Sequence, residues 1–127
     1  MLEMEENTTA KRTVLAITLP DGVLQRFKEI VRHEGESMPM LFVQFMANYV
    51  RFMDKSFLCP FSQEILEQKK RPISFVVRQE LCNDFSSKIK LEQVKKSHLF
   101  TQFVINYVNF MDSRPKKVPE KCEMESR

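Results

Sequence analysis

The chain has 127 residues, a net charge of +3, 29% charged residues and only two glycines, Gly22 and Gly35. That length suits one domain, or two small units sharing a core. No apolar run is long enough to span a bilayer, so no membrane role is expected, and two glycines leave little material for a phosphate-cradling loop. The cysteines Cys59, Cys82 and Cys122 and the histidines His33 and His98 fall at no disulfide or metal-ligand spacing, and no nucleophile–base pair is visible. The sequence therefore predicts no metal, no cofactor and no enzyme activity.

Residues 1–10 carry Glu3, Glu5 and Glu6 and a net charge of −3, unlike the basic-then-apolar layout of a signal peptide. They read as a disordered N-terminal arm of a cytoplasmic protein. The first ordered element is a strand over 13–19, in which Leu15, Ile17 and Leu19 alternate onto one face. Pro20 ends it, because its ring fixes φ and removes the N–H. A helix follows from about Asp21, with Val23, Phe27, Ile30 and Val31 as its apolar stripe. Gly35 suits a left-handed C-terminal position. Ser37 is a candidate N-cap for a second helix that tolerates Pro39 in its first turn. That helix carries Leu41, Phe42, Phe45, Met46, Tyr49, Val50, Phe52 and Met53 over more than one face, which predicts that it is surrounded.

Residues 55–69 read as a linker, with Pro60 breaking the path and a helical turn or two over 62–68. Beyond it the order of elements starts again. A shift of 58 residues lays Leu41–Asp54 on Leu99–Asp112 without a gap, and ten of the fourteen positions are identical. Upstream, Phe27 meets Phe85, Val31 meets Ile89, and Val23 meets Leu81. The second strand, 72–78, turns Ile73, Phe75 and Val77 to one face, and Lys88 replaces Ile30 in the stripe of the helix after it. The recurring Tyr49 and Tyr107 each need a hydrogen-bond partner if buried, and the recurring Asn48 and Asn106 are the candidates. The expected organisation is an arm (1–10), repeat one (11–54), a linker (55–69), repeat two (70–112) and a flexible tail (113–127).

One strand cannot satisfy its own N–H and C=O groups. Pairing strand 13–19 antiparallel with strand 72–78, above four helices with a shared core, satisfies both copies at once. The order strand, proline, amphipathic helix, Gly-x-Ser junction and apolar helix is carried by Leu15-Ala16-Ile17-Thr18-Leu19-Pro20-Asp21-Gly22-Val23-Leu24 and Gly35-Glu36-Ser37-Met38. In these residues the chain resembles the ribbon-helix-helix repressors of the Arc and MetJ type. Copy two departs from that pattern, with Arg78 in place of Pro20 and Gln93-Val94-Lys95 at the junction. The fold class expected is mainly α with one two-stranded antiparallel ribbon, two ribbon-helix-helix repeats forming an intramolecular pseudo-dimer.

The resemblance implies that the ribbon enters the major groove of double-stranded DNA, while the N-termini of the second helices meet phosphate. Carried over residue by residue, the ribbon contacts are Val14, Ala16 and Thr18 from copy one, and Ser74 and Val76, beside Pro72, from copy two. The expected phosphate contacts are Lys11, Arg12 and Ser37, then Lys69, Lys70, Arg71 and Arg78, then Lys95, Lys96 and Ser97. Residues 69–112 carry a charge of +4, against +1 for 11–54, so the second copy is the more attractive to a polyanion. Two unlike half-ribbons imply a non-palindromic site, or action as half of a larger assembly. The expected function is a DNA-binding protein of the cytoplasm or nucleoid, either a transcriptional repressor or an accessory DNA-processing factor. The alternative is a protein-interaction module (an antitoxin, antirepressor or inhibitor) using the ribbon or other exposed apolar surface, which could also support further oligomerisation.

Overall fold

The computed structural model describes residues 11–114; the expected arm and the tail beyond Arg114 lie outside the described residues. In chain order the elements are β1 (Arg12–Pro20), α1 (Asp21–Glu34), α2 (Met38–Phe52), a 3-10 turn (Lys55–Phe57), α3 (Gln63–Leu66), β2 (Lys70–Arg78), α4 (Gln79–Glu92) and α5 (Lys96–Ser113). The protein is mainly helical, with one two-stranded antiparallel sheet. The bounds of β1 and α1 fall on those of β2 and α4 at a spacing of 58, and α2 and α5 begin at the same spacing. Among the described residues no helix is long and apolar enough to cross a membrane.

β1 and β2 pair from Arg12 opposite Arg78 to Pro20 opposite Lys70. In this register Ala16 faces Ser74, and these two residues are themselves 58 apart. The ladder extends into the loops, where the Asp21 N–H donates to the Lys69 carbonyl at 2.8 Å and the Gln79 N–H donates to the Lys11 carbonyl at 2.9 Å. Odd-numbered residues of β1 therefore sit in hydrogen-bonded pairs, and the outward, even-numbered ones sit in the closer non-hydrogen-bonded pairs. Leu15, Ile17, Leu19, Phe75 and Val77 are buried beneath the ribbon, as the alternation predicts.

Local chemistry sets the helix ends. The N-cap of α1, Pro20, offers no side-chain acceptor. Gln68 of the linker supplies one: its Oε1 accepts from the Gly22 N–H at 2.8 Å and from the Val23 N–H at 3.2 Å. A Cβ on Gly22 would stand 2.9 Å from that oxygen, so a larger residue here would push the Gln68 carboxamide off the cap. α1 ends at Gly35 with φ of 71°, and α4 ends at the equivalent Gln93 with φ of 61°. Only the second pays the left-handed penalty of a residue with a Cβ. Ser37 caps α2 by accepting from the Met40 N–H at 3.3 Å.

The core is aromatic and is drawn from both sides of the linker. Phe42 meets Phe100 edge-on at 5.4 Å between ring centroids, and Phe45 stacks on Phe103 at 4.7 Å. Phe27 meets Tyr107 at 5.3 Å, and Phe85 meets Tyr49 at 5.8 Å. Accordingly α1 packs on α5 and α2 packs on α4. The linker lies against this core: Phe57 packs on Phe45 at 5.5 Å and Phe61 on His98 at 4.6 Å. The Cys59 N–H donates to Oε1 of the buried Gln102 at 2.9 Å.

Three expectations change. The partner of the Tyr49 hydroxyl is Glu92, while Asn48 is exposed and Asn106 accepts from Gln102. Burial, reinforced by the bond to Glu92, pushes the Tyr49 phenol well above its ordinary range. The second helices are not surrounded along their whole length, since Phe52 is 78% exposed and Phe110 62%. Lys88 is not a defect in an apolar stripe: its Nζ donates to the carbonyls of Tyr49 (2.9 Å), Val50 (3.3 Å) and Met53, and stands 5.1 Å from the centre of the Tyr49 ring. A cation there satisfies the free carbonyls at the end of α2 and suits the negative end of its dipole.

Candidate nucleic-acid interface

The outward face of the ribbon is formed by Arg12, Val14, Ala16 and Thr18 from β1 and by Lys70, Pro72, Ser74, Val76 and Arg78 from β2, while Pro20 at the end of β1 is buried. The cross-strand pairs are Arg12–Arg78, Val14–Val76, Ala16–Ser74, Thr18–Pro72 and Pro20–Lys70. All five sequence-predicted ribbon residues, Val14, Ala16, Thr18, Ser74 and Val76, share this exposed face. Its centre is apolar or weakly polar, with Val14 64% and Val76 51% exposed side by side.

The basic residues divide between the two ends of the ribbon. Lys11, Arg12 and Arg78 are exposed at one end, and Lys69, Lys70 and Arg71 at the other. The register puts Arg71 opposite Leu19, off the outward face. Its Nε lies 2.8 Å from Asp21 Oδ1, and the two meet as an ion pair without aligned hydrogen-bond geometry. Arg71 is thus committed within the protein, which sequence reasoning could not see because Lys69-Lys70-Arg71 reads as one basic run.

The beginning of α5 closes onto the second end. Ser97 Oγ accepts from the Thr18 N–H at 3.0 Å and from the Thr18 hydroxyl at 3.3 Å. Thr18 sits in a non-hydrogen-bonded pair, so its N–H points away from β2 at the ribbon edge and is free for this bond. Both polar groups of Thr18, the residue sequence analysis offered as a base contact, are therefore engaged by α5. Position 39, equivalent to Ser97 at a spacing of 58, is a proline with no hydroxyl. Lys95 is exposed and Lys96 partly so at the head of this 18-residue helix, whose first turn has no side-chain cap and no acidic residue. Cations there oppose the helix dipole, and an anion held between them and the free N–H groups would reverse the sign of that interaction. Ser37, at the head of α2, stands instead beside Met38, Pro39 and the exposed Met40.

A cavity of about 390 Å³ lies behind the α5 end, lined by Thr18, Pro20, Phe61, Ile65, Lys70 and Lys95 among others. Phe61, Ile65 and Leu66 of the linker form its outer wall. The interface thus has two unlike ends. At one, two arginines face each other across the ribbon; at the other, lysines gather around a helix N-terminus that is bonded to the ribbon edge. A solvent-facing antiparallel ribbon with basic residues at both ends has the shape and charge of a groove-binding surface. Comparison with protein-family models, with curated proteins and with solved structures gave no match to this chain.

Proposed function

We propose that the protein is a DNA-binding protein, a transcriptional repressor or an accessory DNA-processing factor, built as a single-chain pseudo-dimer of two ribbon-helix-helix repeats. The observation that carries this reading is the ribbon register. A two-fold axis relating residue i to residue i + 58 requires that one residue face its own equivalent across the ribbon, and at the middle of the paired strands Ala16 is opposite Ser74. The same spacing relates β1 and α1 to β2 and α4, and pairs Phe42 with Phe100 and Phe45 with Phe103 in the core. On this reading the ribbon lies in the major groove, Lys95 and Lys96 with the α5 N-terminus hold one phosphate, and Lys11, Lys69 and Lys70 meet the backbone at the two ribbon ends. Ser37, with its oxygen already accepting from Met40, would use its hydroxyl proton at the α2 end.

Duplex binding measured across salt concentrations tests this. Phosphate contacts predict affinity that falls steeply as salt rises. Lys95→Ala with Lys96→Ala is expected to weaken binding to all duplexes alike and to reduce the log–log salt slope by about two. Failure to bind any duplex at low salt would remove the proposal. The exposed Val14–Val76 pair favours a second reading, in which the ribbon docks on a protein as an antitoxin, antirepressor or inhibitor would. A stoichiometric, nuclease-resistant partner, together with no duplex binding, would select it.

A further inference from the structure

The ribbon-helix-helix reading leaves open how a ribbon with Val14, Ala16, Ser74 and Val76 at its centre could distinguish one base pair from another. We propose that base selectivity resides in Arg12 and Arg78, acting together at one end of the ribbon, so that the protein reads guanine on one side of its site and binds DNA in one orientation. The inference rests on the DNA-binding reading above and reassigns these two residues from phosphate contacts to specificity-determining ones.

Their placement carries the argument. Arg12 and Arg78 are directly opposite each other, exposed, and on the outward face with Val14 and Val76. They form a non-hydrogen-bonded pair, the type that brings side chains closest across an antiparallel ladder. Like charges held that close repel, and a guanine edge, presenting O6 and N7 as acceptors, relieves the repulsion. A guanidinium fork matches that edge with two parallel hydrogen bonds. Each arginine is four residues from the Ala16–Ser74 centre, about 13 Å along a strand, or roughly four base pairs from the middle of a site.

The other end of the ribbon lacks this capacity. Its even-numbered pairs are Thr18–Pro72 and Pro20–Lys70. Ser97 takes both the amide and the hydroxyl of Thr18, the prolines bring no donor, and Lys70 lines the cavity beside α5. The guanidinium forks are thus confined to the Arg12–Arg78 end, with Lys70 the exposed ribbon donor at the other, while the Lys95–Lys96 end holds backbone. Val14 and Val76, next to the arginines, add apolar contact suited to a thymine methyl.

Selection from a random duplex library with the full chain provides the test, repeated with Arg12→Lys and Arg78→Lys together. The expected enriched site is non-palindromic, with guanine fixed on one side about four base pairs from its centre. The lysine variant keeps the charge and loses the fork. It should unfold at the wild-type temperature and lose about tenfold or more of its preference for the enriched duplex over random duplex. A palindromic or guanine-free enriched site, or a lysine variant with unchanged preference, would overturn the inference while leaving DNA binding in place. Absence of binding to every duplex at low salt would overturn both.

Discussion

Where α1 carries the buried Ile30, α4 carries Lys88, and the two helices packed against them end differently. α2 stops at Phe52, with Lys88 holding the carbonyls of Tyr49, Val50 and Met53. α5 runs on to Ser113, where Arg26 of α1 pairs with Asp112, and Arg114 lies 3.0 Å from Glu34. Asp54, the counterpart of Asp112, instead caps the 3-10 turn through Ser56, and those hydrogen bonds hold its carboxyl below the usual carboxylate range. The repeated residues set the helices and the core in both halves. Single substitutions between the repeats decide where a second helix stops and whether the chain turns away into the linker or continues.

Substitutions in the two halves test how far they depend on each other. The largest effect is expected for Phe100→Ala. Phe100 is fully buried against Phe42, Phe45, Phe75 and Phe85, and its loss should cost about 3–5 kcal/mol. Because the core draws on both halves, urea unfolding of this variant should remain one transition followed equally by every probe. Separate unfolding of the two halves would show that they do not share a core.

Lys88→Ala removes this donor from the Val50 and Met53 carbonyls at the end of α2, while the Tyr49 carbonyl keeps the Met53 N–H, and should cost about 1–3 kcal/mol. Ile30→Ala in the other half removes only apolar packing, so its effect should be insensitive to pH. If Lys88→Ala is neutral in urea unfolding, α2 is stopped by something other than this contact. Gly22→Ala drives a Cβ into the Gln68 carboxamide and should cost about 1 kcal/mol through the lost cap. Combining it with Gln68→Ala should add little, which a double-mutant cycle would measure.

Smallest is Gln93→Gly, which relieves a side chain held at positive φ and should stabilise the protein by up to about 1 kcal/mol, whereas Gly35→Ala should destabilise it. A pH series adds one more contrast. The Tyr49 phenol is held above its unfolded value, chiefly by burial, so the folded state binds its proton more tightly. That contribution to stability is complete below about pH 10 and declines as pH rises further. Tyr49→Phe should flatten this alkaline decline. Tyr107, also raised by burial, should leave part of it in place.

The ribbon faces and the inward residues were legible in the sequence because both follow from a period of two and a single repeat spacing. The same spacing marked the aromatic residues of the second helices as core, but which ring meets which came only from the structure. Contacts that cross from one half to the other through a single side chain were not legible. Gln68 capping α1, Lys88 capping α2 and Ser97 binding Thr18 join residues far apart in the chain, with no local pattern to announce them. The repeat even concealed one of them, since Gln44 and Gln102 are identical in sequence, yet only Gln102 is buried and bonded to the linker. For the candidate site, sequence placed the basic clusters at opposite ends of the ribbon but could not separate Arg71, tied to Asp21, from Lys70 beside it.

The most direct measurement is the cross-strand contact at the centre of the ribbon. In the full chain in solution, Ala16 and Ser74 form a non-hydrogen-bonded pair, whose Hα protons lie close together. Nuclear Overhauser spectra should therefore show a strong Hα–Hα cross-peak between Ala16 and Ser74, flanked by one between Val14 and Val76. Cross-peaks that set no residue opposite its equivalent 58 positions on, or none between these strands, would contradict the two-fold arrangement and the groove-binding role built on it.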